Sequence, residues 1–247
     1  MIGGLNPDFL APRAPIPHQG TTDIDLLFAL GFDRVADVPD FSWVDAALDA
    51  GGFESTNGWR WDALLGDARI RLEFLCDVWD HIDDIVPLPG SGRAVASKIA
   101  GPAAALHAPM ERRLTISSGV RADMSDAPET LTLRFANLGG YLLAKSAAAR
   151  SRMLSKDKYD LMYVILYNDE GPRGAALAVA RQLAATEESS DATEIRRVME
   201  RYLDPAGLWA GVFADTMIVT GDTASEDQLR ADAAEGARAF LNGLENA

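Results

Sequence analysis

Thr21-Thr22-Asp23-Ile24-Asp25-Leu26-Leu27-Phe28-Ala29-Leu30 opens with polar and apolar residues alternating and closes as a continuous apolar run. That pattern predicts a β-strand entering a core. Its two carboxylates stand at i and i+2, a spacing that sends both side chains to one face of a strand. Neighbouring acids repel unless a cation lies between them, and magnesium prefers such hard oxygen ligands. Asp23 and Asp25 are therefore candidate metal ligands, although Asp-x-Asp alone is a pattern that chance produces often.

Outward from this strand, residues 40–50 read as a helix stopped by Gly51-Gly52, and residues 68–77, 113–117 and 131–135 as short strands of a mixed sheet. Glu73 is an acid in the apolar centre of Ala68-Arg69-Ile70-Arg71-Leu72-Glu73-Phe74-Leu75. It is either a third metal ligand or the salt-bridge partner of Arg69 or Arg71, which share its strand face by parity. Cys76 follows as a buried strand residue, and a single cysteine excludes an internal disulfide framework.

After Ala136 the chain turns alanine-rich and helical, with helices expected at about 136–150, 157–168, 174–186, 192–203, 206–217 and 225–242. The last opens with the capping-box pattern Ser225-Glu226-Asp227-Gln228. The expected organisation is an α/β lobe over 1–135 and a helical lobe over 136–247 that completes a shared cleft.

The chain has 247 residues, 48% of them hydrophobic, and a formal charge of -14, which argues against a general nucleic-acid coat. Residues 145–181 depart from that average, with seven Lys or Arg against four Asp or Glu. If 145–156 were one continuous helix, Lys145, Arg152 and Lys156 would form a basic stripe able to hold a triphosphate. Asp157 reads as an ordinary favourable helix-terminal charge. Asp160 reads equally as a capping or salt-bridging residue and as part of a site. His18, His81 and His107 lack metal-ligand spacing, so zinc is not expected. His18, five residues before Asp23, is either an exposed loop residue or close enough to reach a nucleotide or metal-bound water. No stretch is long and apolar enough for a spanning helix, and no secretory signal is visible, so no membrane association and a cytoplasmic location are the expectation.

Gly3-Gly4, the Thr21-to-Leu26 stretch, Glu73, and Lys145 through Arg152, Lys156-Asp157 and Tyr159-Asp160-Leu161 together resemble one family pattern. It is that of the abortive-infection toxin-type (AbiEii-like) nucleotidyltransferases of the polymerase-β-like superfamily. The resemblance covers about the first two thirds of the chain. It departs in three places: only Met1-Ile2 stand where a first strand is expected, the third acid is glutamate rather than aspartate, and glycine replaces a common serine at position 4.

The resemblance implies an α+β fold, with a polymerase-β-like nucleotidyltransferase lobe built on a mixed sheet and followed by an all-helical lobe. It implies transfer of a nucleoside monophosphate from a nucleoside triphosphate to a hydroxyl acceptor. Asp23, Asp25 and Glu73 would hold two magnesium ions. Gly3, Gly4, Thr22, Lys145 and Arg152 would bind the nucleotide, and Asp160 would orient Lys145. The implied partners are an RNA acceptor such as a transfer-RNA end, and an antitoxin protein if the chain is a toxin. The competing readings are a small-molecule nucleotidyltransferase and a catalytically inactive nucleotide- or protein-binding module of the same fold.

Overall fold

β1 (Asp23–Phe28) occupies the stretch expected for it and is flanked on one edge by β3 (Ala68–Cys76), to which it is parallel with Asp25 opposite Glu73. This computed structural model describes residues 1–30, 39–78, 82–123, 127–186 and 189–247. The other edge of β3 is shared. Its first half pairs antiparallel with β2 (Arg60–Leu65), and its end pairs parallel with β5 (Val95–Lys98), which is antiparallel to β4 (Ile85–Pro87). The result is a mixed five-stranded sheet.

Strand parity decides what each face of the sheet does. Leu26, Phe28, Leu72, Phe74 and Cys76 point to one side, where Val44 and Leu48 of α2 (Trp43–Ala50) close a small core. Asp25 and Leu27, with Glu73 and Leu75, point to the other, toward the helices. The carboxylates thus stand at the margin of the larger core rather than in open water.

The strands expected near 113–117 and 131–135 exist, but as a separate two-stranded sheet of β6 (Met110–Thr115) and β7 (Thr130–Phe135), with α3 (Ser118–Asp123) between them. The link to the main sheet is made by Met1 and Ile2. The Ile2 N–H donates to the Asp25 carbonyl at 3.0 Å, and the Met1 carbonyl accepts from the Ala136 N–H at 2.9 Å. These two residues fill the position where a longer first strand was expected.

The helices follow as α4 (Leu138–Arg152), α5 (Ser155–Tyr167), α6 (Gly171–Thr186), α7 (Ser189–Glu200), α8 (Leu208–Thr220) and α9 (Glu226–Glu245). Ser225 caps α9 by accepting from the Gln228 N–H at 3.2 Å, whereas the Gln228 side chain reaches forward to Asp232. Only half of the expected capping box forms. The main core, with Tyr159, Met162, Val179, Phe213 and Phe240 at its centre, continues past residue 136 to take in Ile2, Leu10 and Leu75. The 136 boundary therefore marks a change of secondary structure and not a break in packing. Among the described residues no helix is long and apolar enough to cross a membrane.

Candidate active site

The cavity between the carboxylate face of the sheet and α4 has a volume of about 360 Å³. Asp23, Asp25 and Glu73 line it from the sheet, Gly3, Gly4 and Thr21 from the segments before β1, and Lys145, Arg152, Lys156 and Asp157 from the helices. Its apolar wall includes Leu75, Ile99, Pro102, Ala144 and Ala148.

Each lining residue has a local cause. On α4, Tyr141, Ala144, Lys145, Ala148 and Arg152 recur at helical spacing and form one stripe, while Leu142, Leu143 and Ala149 pack into the core on the other side. Asn137 starts this helix by accepting from the Gly140 N–H at 2.8 Å. The continuous helix expected through Lys156 does not form. Met153 turns left-handed with φ of 55°, and α5 begins afresh at Ser155. Lys156 reaches the cavity all the same, because the break folds the start of α5 back over the end of α4.

Gly3 sits at φ +80°, and a methyl there would collide with Asp25 Oδ2. At Gly4 an added Cβ would lie 2.7 Å from Thr21 Cβ and 3.0 Å from Lys156 Nζ. Glycine is required at position 3 for both conformation and space. Gly3→Ala is accordingly expected to cost more than about 2 kcal/mol, since strain and collision add. Chemical denaturation measures it, and a loss below half that value would show that the Gly3 turn relaxes freely.

Among the described residues neither of the paired carboxylates makes an ion pair. Asp25 has no ion pair and no side-chain hydrogen bond among the described residues. Burial, then the charge of Glu73, pushes its pKa up to about 6, against the opposing pull of Lys145 and Arg152. Asp23 Oδ1 accepts from the Thr22 hydroxyl at 3.3 Å. Glu73 is held instead by Arg60 of β2, whose Nε donates to Glu73 Oε1 at 2.8 Å. Neither Arg69 nor Arg71 is its partner. Both pair with Asp62, which lies across the β2–β3 ladder. Among the described residues no three His, Cys, Asp or Glu side chains converge as a metal cluster.

Behind the cavity lies a buried charge network. Lys145 Nζ donates to Asp160 Oδ2 at 2.9 Å and to Asp157 Oδ1 at 3.1 Å, and Arg152 reaches the same Asp157 oxygen at 3.1 Å. Burial alone would drive the Lys145 pKa down, but Asp160, with Tyr141 and Asp157, outweighs it and holds the ammonium charged. For Asp160, burial pushes upward and Lys145 and His18 overcome it, leaving the carboxyl at about 2. The Gly20 N–H donates to His18 Nδ1 at 3.2 Å, so Nε2 carries the proton that His18 gives to Asp160 Oδ1 at 2.9 Å. The ring is stacked against Tyr159 and fully enclosed.

Compared with protein-family models, curated proteins and solved structures, the chain has no significant match.

Of the residues expected at the site, Gly3, Gly4, Asp23, Asp25, Glu73, Lys145 and Arg152 meet at the cavity. Thr22 and Asp160 do not line it. Thr22 is exposed and Thr21 takes its place; parity selects Thr21, which is in phase with Asp23 and Asp25. Asp160 is fully buried one layer behind, where it reaches Lys145 and, through the entry loop, His18 and Gln19. His18 is neither an exposed loop residue nor a cavity residue, and His81 lies outside the described residues. Asp157 belongs to the site rather than serving as a simple helix-terminal charge. The omitted signal was distance in space: Asp157 is twelve positions from Lys145 and meets it only because of the turn at Met153.

Proposed function

We propose that this chain is a magnesium-dependent nucleotidyltransferase of polymerase-β-like architecture, which moves a nucleoside monophosphate from a nucleoside triphosphate to a hydroxyl acceptor. The supporting observation is that Asp23, Asp25 and Glu73 line the same cavity as Lys145, Arg152, Lys156, Gly3 and Gly4, although the three carboxylates do not close into a metal cluster. Nothing in local sequence brings these residues together; they come from five separate segments, the Gly3–Leu5 turn, β1, β3, α4 and α5.

The donors are hard carboxylate oxygens of the type a divalent cation takes, although among the described residues no three of them close into a ligand cluster. Asp25 is raised in pKa first by burial and then by the charge of Glu73, the situation that a bound cation relieves. Asp23 and Asp25, with the free oxygen of Glu73, would hold magnesium, which when bound supplies charge neutralisation for the triphosphate and acidifies the acceptor hydroxyl. The three cations offset phosphate charge as pyrophosphate departs. Asp157 and Asp160 fix the Lys145 ammonium, so that no reorganisation is needed as that charge builds. The lack of side chains at Gly3 and Gly4 lets this turn pack directly against Asp25 and Thr21 and present backbone to the cavity. Between the charges, the apolar lining of Leu75, Ile99, Pro102, Ala144 and Ala148 would receive the uncharged part of the nucleotide. A cavity of about 360 Å³ is at the lower end of the range for small-molecule sites.

Incubating the purified protein with labelled nucleoside triphosphates, magnesium and total RNA tests this reading. Label is expected in RNA, and it is expected to vanish with a chelator. Label confined to added hydroxyl-bearing small molecules would move the assignment to a small-molecule transferase. No transfer to any acceptor would remove the proposal.

A further inference from the structure

The buried charge network behind the cavity does not end at Asp160. One of its carboxylate oxygens holds Lys145 at 2.9 Å, and the other accepts from His18 Nε2 at 2.9 Å. On the opposite edge of the ring, His18 Nδ1 accepts from the Gly20 N–H at 3.2 Å. Thr21 follows, and its hydroxyl accepts from the Asp23 N–H at 3.2 Å, which sets the first residue of β1. A line of polar contacts therefore runs from the ammonium on the helical wall of the cavity to the start of the strand on the other, with His18 in the middle. The His18 and Asp160 side chains are wholly enclosed, so solvent does not compete for these bonds. The ring itself is fixed, stacked on Tyr159 at 5.3 Å between centroids and meeting Tyr163 edge-on at 5.1 Å. The Gln19 amide nitrogen lies 3.5 Å from the same Asp160 oxygen, too long a contact to replace the histidine.

We propose that His18 is a positioning residue for the transfer reaction, which bridges Asp160 to the segment before β1 and thereby holds Lys145 in one place. This rests on the nucleotidyltransferase reading and adds to it a residue that never meets the nucleotide. A carboxylate engaged on one oxygen can turn about its last side-chain bond; a second bond on its other oxygen stops that rotation. Lys145 needs such a fixed acceptor, because its ammonium rides on a flexible four-carbon stem and has no preferred geometry of its own. A charge already in position contributes most where new charge develops, since nothing has to rearrange as the reaction proceeds. Imidazole suits the task because it accepts on one edge and donates on the other. The amide oxygen of asparagine can stand where Nδ1 stands, and the amide nitrogen of glutamine where Nε2 stands. These two replacements therefore cut the bridge on different sides.

The test is steady-state transfer of label from a nucleoside triphosphate by the full chain and its variants. His18→Asn keeps the bond to Gly20 and gives up Asp160; it is expected to lower kcat about tenfold while the nucleotide KM moves by less than about twofold, the sign of a contact that matters in the transition state. His18→Gln keeps Asp160 and is expected to stay within about threefold of the wild-type kcat. Tyr163→Phe removes the hydroxyl that donates to the Ile16 carbonyl at 2.8 Å, loosening the same segment without touching the bridge, and is expected to leave kcat unchanged. In an Asp160→Asn background, His18→Asn is expected to add no further loss. If His18→Asn fails to fold, His18→Gln decides alone: a folded glutamine variant that loses activity about tenfold overturns the bridge. Equal losses in the two His18 variants, or a Tyr163→Phe loss as large as that of His18→Asn, also overturn it; His18 is then a core residue and the transferase reading stands. A wild type that transfers no label removes both.

Discussion

Replacing Asp25 with Asn is expected to abolish nucleotide transfer and, in the same protein, to raise thermal stability near neutral pH. The two effects share one cause. Burial and the nearby Glu73 charge set the Asp25 pKa at about 6 in the folded chain, above its ordinary value of 3.8. A folded-state pKa above the unfolded one means that the native protein prefers the protonated form. The associated stability is fully present below about pH 4 and is lost as pH rises through about 6. At about pH 7.5 the metal-free wild type therefore carries a charge it would be more stable without, at a cost of roughly 2 kcal/mol after allowing for its opening to the cavity. Asparagine keeps the shape and removes the charge. The melting temperature of the variant is expected to exceed that of the wild type by about 5 °C near pH 7.5 and to match it near pH 4. Magnesium is expected to stabilise the wild type, more at the higher pH, and to leave the variant unmoved. Transfer is expected to fall on the order of a thousandfold. A variant less stable than the wild type at neutral pH would mean that Asp25 is already compensated, and the case for a cation there would go with it.

The features legible in the sequence were those governed by short periods. Alternation of period two located β1 and β3 and placed Asp23 and Asp25 on one face, while the pairing of β1 with β3 brings Glu73 to that face; helical spacing placed Lys145 and Arg152 on one stripe. Gly3 and Gly4 were expected to bind the nucleotide, and in the fold Gly3 packs against Asp25. The unread features depend on which strands become neighbours. Arg60 is thirteen residues from Glu73, and only the antiparallel ladder of β2 and β3 sets them opposite each other, so the locally plausible Arg69 and Arg71 were the candidates instead. His18 and Asp160 are 142 residues apart, and their contact follows from the packing of the entry segment on α5, where the Tyr163 hydroxyl donates to the Ile16 carbonyl. Thr22 was a different kind of error. The period-two rule that selected the aspartates also selects Thr21, and it was not carried two residues further back.

The largest loss of stability is expected from Lys145→Met, and its pattern separates a structural cation from a catalytic one. The ammonium is 7% exposed and serves two carboxylates of comparable burial, so removing it strands negative charge where water cannot reach. Breaking such a buried network costs roughly 3–5 kcal/mol. Asp160 retains His18 and Asp157 retains Arg152, which favours the lower end of that range. The pH dependence identifies the mechanism. In the wild type the depressed Asp160 pKa contributes stability above its unfolded value, and this is lost only as pH falls toward about 2. Without Lys145 the dominant force holding that pKa down is gone, so the carboxyls take up protons at higher pH and the deficit narrows on acidification. Lys145→Met combined with Asp160→Asn removes both members of the pair, and the double variant is expected to be more stable than the two single losses added together. A shortfall of about 2 kcal/mol from additivity is the expected coupling for contacting charges. Additive losses would mean that Asp160 does not hold Lys145, and the lysine would then reach the cavity as a loosely placed charge rather than as the fixed one that transfer requires.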